Sequence, residues 1–205
     1  LIYQSPGGML STMLYSLLQL IILFFVIFDP LLSFVVFFGA TADMSPEEKR
    51  KTALLAVIVA FSISLLCLIF GASILRLFNT NIQDFKIAGG IILAILGIKM
   101  SLGQSDSEKV MGTKRSAKAI ASIIATPLLT GPASITAIII SVHDYGRLLT
   151  AIAVLLVLII TLILFLQAPR ITRFTGETAL QVVSTLMGLI TLSWGIMFIK
   201  QGFGS

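Results

Sequence analysis

One acidic side chain lies inside a long apolar run. Asp29 is the only charged residue in positions 1–42. Near the centre of a membrane helix an aspartate costs about 2.5–3.5 kcal/mol on insertion scales, and such residues mark substrate, ion or proton paths. Pro30 follows it and cannot donate to the carbonyl of Val26. Ser33 adds a hydroxyl within the next turn. A second cluster of the same kind holds Thr126, Thr130, Gly131, Pro132, Ala133 and Ser134, with Thr136 just beyond. There Pro127 and Pro132 free the carbonyls of Ile123 and Leu128, and Gly131 adds backbone freedom between them. Irregular backbone at membrane depth is tolerated where it lines a protein-enclosed cavity. Half-helices beginning near Ser33 and near Ala133 would aim positive N-terminal ends into that cavity, which suits a carboxylate. Freed carbonyls would accept from an ammonium or coordinate a cation. A small zwitterion, an amino acid, matches both poles. Asp29 also has a structural reading, as N-cap of the half-helix that starts at Pro30. The two roles are compatible. Thr126 stands at the matching place of the second cluster, so the acid is not duplicated.

These clusters need long apolar helices to hold them. The chain has 205 residues, of which 57% are hydrophobic and only 11% charged, with mean hydropathy +1.07. Soluble domains carry about 25% charged residues. The composition therefore excludes an ordinary soluble globule, a disordered chain and a nucleic-acid binder. A hydrocarbon core of about 30 Å takes about 20 apolar residues per helical span. Gaps between charges give spans within 1–42, 52–75, 85–102, 119–142, 148–169 and 178–199. The fold class is all-α, a polytopic membrane protein of six helices, with helices 1 and 4 interrupted. Residues 9–42 as one helix would be about 51 Å long, some 20 Å more than the core, which also favours a break. Long apolar runs argue against a β-barrel.

Loop charge sets the orientation. The loops after spans 1, 3 and 5 hold Lys49, Arg50, Lys51, Lys99, Lys109, Lys114, Arg115, Lys118, Arg170 and Arg173; the opposite side holds Arg76, Lys86, Arg147 and Lys200. The richer side is expected to be cytoplasmic, with both termini outside a multi-pass protein of the cell (inner) membrane. The first apolar run lacks a basic n-region and is too long for a signal peptide, so it reads as a retained span. Ser45-Pro46-Glu47-Glu48 reads as a capped helix start, with Ser45 at N-cap, Pro46 at N1 and Glu48 at N3.

The halves resemble one another. IFDPLLS (27–33) and IATPLLT (124–130) share Ile, Pro, Leu and Leu at an offset of 97, and Arg76 meets Arg173 at the same offset. Gly90 and Gly97 meet Gly188 and Gly195 at 98, each pair seven apart on one helix face. Three spans per half is an odd number, so the second half would enter the membrane inverted, as in secondary transporters. The organisation expected is a first repeat over 1–103, a cytoplasmic linker over 104–117 and a second repeat over 118–205.

Other chemistry lacks its parts. His143 and Asp144 lie in a turn at the outer surface, far from the intramembrane serines, so serine–histidine catalysis is not expected. No metal-ligand motif, phosphate loop or cofactor signature is present. The chain is read as no enzyme, with no metal, no cofactor and no nucleic-acid partner. Cys67 is a small buried apolar residue on this reading. The phenylalanines from Phe24 to Phe38 face either lipid or core.

The segments IFDPLLSFVVFFGATADMSPEEKRKTA, FKIAGGIILAILGIKM and IATPLLTGPASIT resemble the MarC family. The resemblance runs through nearly all of the chain. It implies six spans, two inverted three-span repeats, outward termini and transport of glycine, alanine, serine and similar small neutral amino acids. It further implies symport driven by a proton or a sodium gradient. As the one carboxylate within an apolar run, Asp29 is the coupling-ion candidate. The family commonly shows DP-x-G-N-x-P in span 1. Here Leu32 replaces the glycine, Ser33 the asparagine and Val35 the second proline, and the GPG of span 4 reads Gly131-Pro132-Ala133. A passive channel or a broad-specificity efflux protein on the same fold is the alternative. The lipid bilayer is the other partner; homo-oligomer formation is left open.

Overall fold

A proline inside an apolar run ends one helix and starts another, because its ring clashes with the preceding turn and its nitrogen carries no proton. The chain obeys this rule at Pro30. In the computed structural model, which describes residues 6–77, 79–103, 129–167 and 177–204, α1 (Pro6–Phe28) stops one residue short of α2 (Pro30–Ala40). The first span is therefore broken at Asp29. Then come α3 (Pro46–Leu77), α4 (Ile82–Ser101), α5 (Pro132–Tyr145), α6 (Arg147–Leu166) and α7 (Glu177–Gly202). Every described element is helical. The linker 104–117 and residues Thr126 and Pro127 lie outside the described residues.

Three segments among the described residues are long and apolar enough to cross a bilayer: Ser11–Ala40, Pro46–Gly71 and Arg147–Leu166. In the first of these 67% of the most apolar window is buried, against 33% and 39% in the others. The broken span is thus the central one. Helix α1 packs on α5, α6 and α7, and α2 on α6 and α7. Around them α3 lies against α5 and α6, and α4 against α5 and α7. Phe24, Phe28, Phe34 and Phe37 are all buried. Four phenylalanines of the stripe are therefore core, while Phe25 and Phe38 are half-buried at its edge. Outward, Ile58, Leu66, Ile95, Leu148, Ile163 and Leu189 are exposed on four different helices, an apolar exterior suited to hydrocarbon.

The helix start at Pro46 closes as its spacing predicts. Ser45 N–H and Ser45 Oγ both donate to Glu48 Oε2 (2.9 and 2.8 Å), and Glu48 N–H reaches back to Ser45 Oγ (3.4 Å). Reciprocal bonds of this kind satisfy donors that the first turn leaves unpaired.

Buried hydroxyls are accommodated by bonding back to their own helix. Thr52 donates to the Glu48 carbonyl (2.8 Å), Thr161 to Val157 (2.8 Å) and Thr191 to Met187 (2.9 Å). This removes the cost of a lone polar group in an apolar interior.

Helices α4 and α7 form the most extensive contact of the fold. Its cause is glycine. A Cβ on Gly90 would lie 2.6 Å from the Gly195 carbonyl oxygen, and one on Gly97 2.6 Å from that of Gly188. The reverse holds too: a Cβ on Gly195 would lie 2.7 Å from the Gly90 oxygen, and one on Gly188 2.9 Å from that of Gly97. The pairing runs antiparallel, backbone against backbone. The glycine spacing of seven was legible beforehand, but not that the two glycine faces meet each other.

Candidate functional site

The two breaks are built alike. At the first, Asp29 adopts the left-handed conformation (φ 40°, ψ 67°), away from both the helical region that Pro30 disfavours and the extended region usual before a proline. Among non-glycine residues, aspartate tolerates that conformation well. Its carboxylate Oδ1 accepts the Leu32 N–H at 3.1 Å. Asp29 is thus the N-cap of α2, and only 6% exposed. Ser33 Oγ donates to the Phe28 carbonyl at 3.5 Å, across the break.

At the second break Gly131 is the N-cap of α5, with extended backbone and no side-chain cap, and Pro132 opens the helix. The first intrahelical bond runs from Ile135 N–H to the Gly131 oxygen (3.0 Å). Ala133 and Ser134 precede it and are both buried. Their N–H groups belong to the positive end of the helix. Ser134 Oγ donates to the Leu129 carbonyl at 2.9 Å. Each break is therefore clipped by a serine hydroxyl that reaches a carbonyl five residues earlier. The serine at this clip is Ser134, whereas the sequence match at offset 97 paired Ser33 with Thr130. The helix starts at Pro30 and Pro132 agree with the expected starts near Ser33 and Ala133.

Helix α1 packs on α5, and Phe28, Phe34, Leu129 and Ala133 share one apolar cluster. Asp29, Pro30, Ser33, Thr130 and Ser134 are all buried. Thr126 lies outside the described residues. Thr136 donates to the Pro132 carbonyl (2.9 Å), and its side chain fills the space where Gly89 of α4 lacks a Cβ.

One residue was not singled out in the sequence. Ser64 of α3 is fully buried, and its hydroxyl finds no hydrogen-bond partner among the described residues. Its position follows from helix register. A Cβ on Gly71 would lie 2.7 Å from Ile139 Cγ1 of α5. The end of α5 is tied to the start of α4, which directly follows α3, by Lys86–Asp144. So α3 and α5 run the same way. Ser64 lies two turns before Gly71 on the same face, and Pro132 two turns before Ile139. Ser64 is thus level with the first turn of α5. A signal existed: Ser64 matches Thr161 at the offset of 97.

At the far end of α5 the turn carries an ion-pair network. Lys86 Nζ donates to Asp144 Oδ2 (2.7 Å) and to Gln201 Oε1 (3.1 Å), and His143 Nδ1 lies 2.8 Å from Asp144 Oδ1. It fastens α4, α5 and α7 beside a cavity of about 240 Å³ lined by Gln19, Ser141, Asp144, Tyr145 and Trp194 among others. No group of three or more metal-ligating side chains occurs among the described residues.

The model of the MarC family of integral membrane proteins matches residues 14–205. The chain belongs to the MarC family. It is 33% identical over 186 residues to a UPF0056 membrane protein of Methanocaldococcus jannaschii, covering 87% of this chain and 91% of that one. A UPF0056 membrane protein of Buchnera aphidicola from Acyrthosiphon pisum is 30% identical over 188 residues, 86% of each chain. The UPF0056 membrane protein YhcE of Escherichia coli is 29% identical over 187 residues, 87% of each. No solved structure matches. The matched region of this MarC protein contains both breaks, the glycine seam and the ion-pair turn.

Proposed function

We propose that this MarC family protein is a secondary transporter of small neutral amino acids of the glycine, alanine and serine class, coupled to a proton or a sodium ion. The observation that carries the reading is the pair of half-helix starts at Asp29–Pro30, both buried, and at Gly131–Pro132, where Gly131, Ala133 and Ser134 are buried and the Pro132 ring itself is exposed. The uncapped start of α5 suits the carboxylate of an amino acid. Asp29 offers a carboxylate for the ammonium or for a transported proton, while hydroxyls at Ser33, Thr130, Ser134 and Ser64 supply short-range donors and acceptors.

Two inverted three-span repeats, six spans in all, would make these starts equivalents across one axis. The glycine seam supports that reading, because the offset of 98 turns the contact Gly90–Gly195 into Gly188–Gly97. The packing supports it as well. Exchanging the halves converts α1 on α6 into α5 on α3, and α4 on α5 into α7 on the first span, and all four contacts occur. Rocking of one repeat against the other would then alternate access to the breaks. Both termini lie outside on this reading, in the inner membrane.

The test is uptake of radiolabelled glycine into proteoliposomes under a proton gradient and, separately, a sodium gradient. Accumulation above equilibrium under one gradient alone names the coupling ion. Equilibration without accumulation assigns a passive channel. No uptake by folded protein refutes the substrate class, and directs attention to Leu32, Ser33 and Val35.

A further inference from the structure

We propose that the crevice between the α2–α3 turn and the end of α6 binds an anionic phospholipid. The crevice encloses about 290 Å³. Its floor is Phe37, Phe38, Phe165 and Leu166, and its rim carries Lys49 and Arg50. Phe37 and Phe165 stack with ring centroids 4.6 Å apart and planes 1° from parallel, which closes the floor. The polar group there is already used, since Thr41 donates to the Phe37 carbonyl at 2.8 Å.

The charge balance at the rim is one-sided. Lys49 Nζ donates to the Ala42 carbonyl at 3.2 Å, which fixes its position and leaves further N–H donors on the ammonium. The nearby acids are turned elsewhere. Glu47 pairs with Lys51 at 2.8 Å, and Glu48 binds Ser45. Asp43, in the same turn, does not line the crevice. Among the described residues the rim thus presents two cations and no anion.

Depth decides the class of ligand. The spans Ser11–Ala40 and Arg147–Leu166 end here, and Pro46–Gly71 begins here. The rim therefore lies at the boundary of the hydrocarbon, where basic side chains meet lipid phosphates. Beyond the floor, Leu166 and Ile163 are exposed along α6, a continuous apolar track for an acyl chain. A zwitterionic headgroup would bring its own ammonium against two cations. A free amino acid would find apolar walls and a closed floor. An anionic headgroup with its chains satisfies both the rim and the track. This inference needs only the membrane location of the chain and not the transport reading.

The experiment uses the full chain in detergent, followed by native mass spectrometry and thermal unfolding. It compares phosphatidylglycerol, phosphatidylcholine with the same acyl chains, and inorganic phosphate. Phosphatidylglycerol should remain bound and raise the unfolding temperature, while the other two should not. Each cation removed should weaken its binding about fivefold, so K49Q/R50Q loses about 25-fold while K200Q, exposed at the opposite end of the bundle, changes nothing. Arg50 is exposed, so R50Q alone keeps the test readable should the double variant fold poorly. Equal retention of phosphatidylglycerol by R50Q, or by the double variant, and wild type overturns the proposal. So does equal binding of phosphatidylcholine, or a shift reproduced by inorganic phosphate alone. A loss of glycine uptake with lipid binding intact would make the crevice a solute path instead.

Discussion

At Asp29 the carboxylate serves the backbone first. It caps α2 and sits on a left-handed residue, two demands that asparagine also meets. Asp29→Asn should therefore unfold within about 0.5 kcal/mol of wild type, since surviving caps differ little. Asp29→Ala should lose about 0.5–2 kcal/mol from the cap and about 1–2 kcal/mol from the backbone. Thermal unfolding in detergent reads both. Under the transport reading, Asp29→Asn separates the roles: a proton-coupled carrier keeps its fold and stops accumulating glycine in response to a proton gradient. Unchanged accumulation by the folded variant would remove Asp29 from the site. Ser64 offers the converse case. A buried hydroxyl without a partner costs about 1–3 kcal/mol, and its replacement by an apolar atom is neutral or stabilising. Ser64→Ala should hold or raise the unfolding temperature. It should also raise the KM of glycine uptake several-fold with little change in maximal rate, because Ser64 is level with the start of α5. An unaltered KM would leave Ser64 a packing residue.

Among the elements, the α4–α7 seam makes the sharpest prediction. Gly97→Ala and Gly188→Ala each place a methyl within 3 Å of backbone atoms across the seam, an overpacking worth about 1–3 kcal/mol. The two variants should lose similar stability, measured by unfolding in detergent, because each intrudes on the other's contact. A fully tolerated Gly97→Ala would mean that the helices are further apart than described. What was legible beforehand tracks distance along the chain. The Ser45–Glu48 box and the helix starts at Pro30 and Pro132 are set by three or four neighbouring residues, and the sequence pattern located them. The left-handed turn at Asp29 was half-legible, since Pro30 announces a break but not the dihedral angles that close it. The match of Pro30 to Pro127 is another matter. Similar apolar strings align easily, and the described start of the second half-helix is the next proline along. The glycine pairing, the burial of the phenylalanines and the position of Ser64 depend on helices distant in sequence. Periodicity shows that a face is special but not what covers it.

For the whole molecule, alternating access predicts that the halves must move where they touch. Phe37 belongs to the first half and Phe165 to the second, and their rings are stacked. Cysteines at these two positions, in a background where the buried Cys67 is replaced by alanine, come within reach of a short thiol-reactive crosslinker. The linked protein should stop taking up glycine, and a cleavable linker should restore uptake on reduction. Continued uptake through the linked form would favour a fixed pore over a rocking carrier. The ion-pair turn at the opposite surface and the lipid crevice at this one bracket the bundle, so each face carries its own fastening. The glycine seam between them has a further meaning, as a record. At the paired glycines its two helices approach main chain to main chain, so the seam has no allowance for added atoms at those positions. A survey of tolerated substitutions would therefore write a related short pattern into both halves: two forbidden positions seven apart, with a third, Gly202, one step further along α7. Read in opposite directions, the first two marks of each half pair so that every couple has the same sum. The spatial arrangement of α4 against α7 could then be recovered from viability data alone, by someone who had never seen the fold.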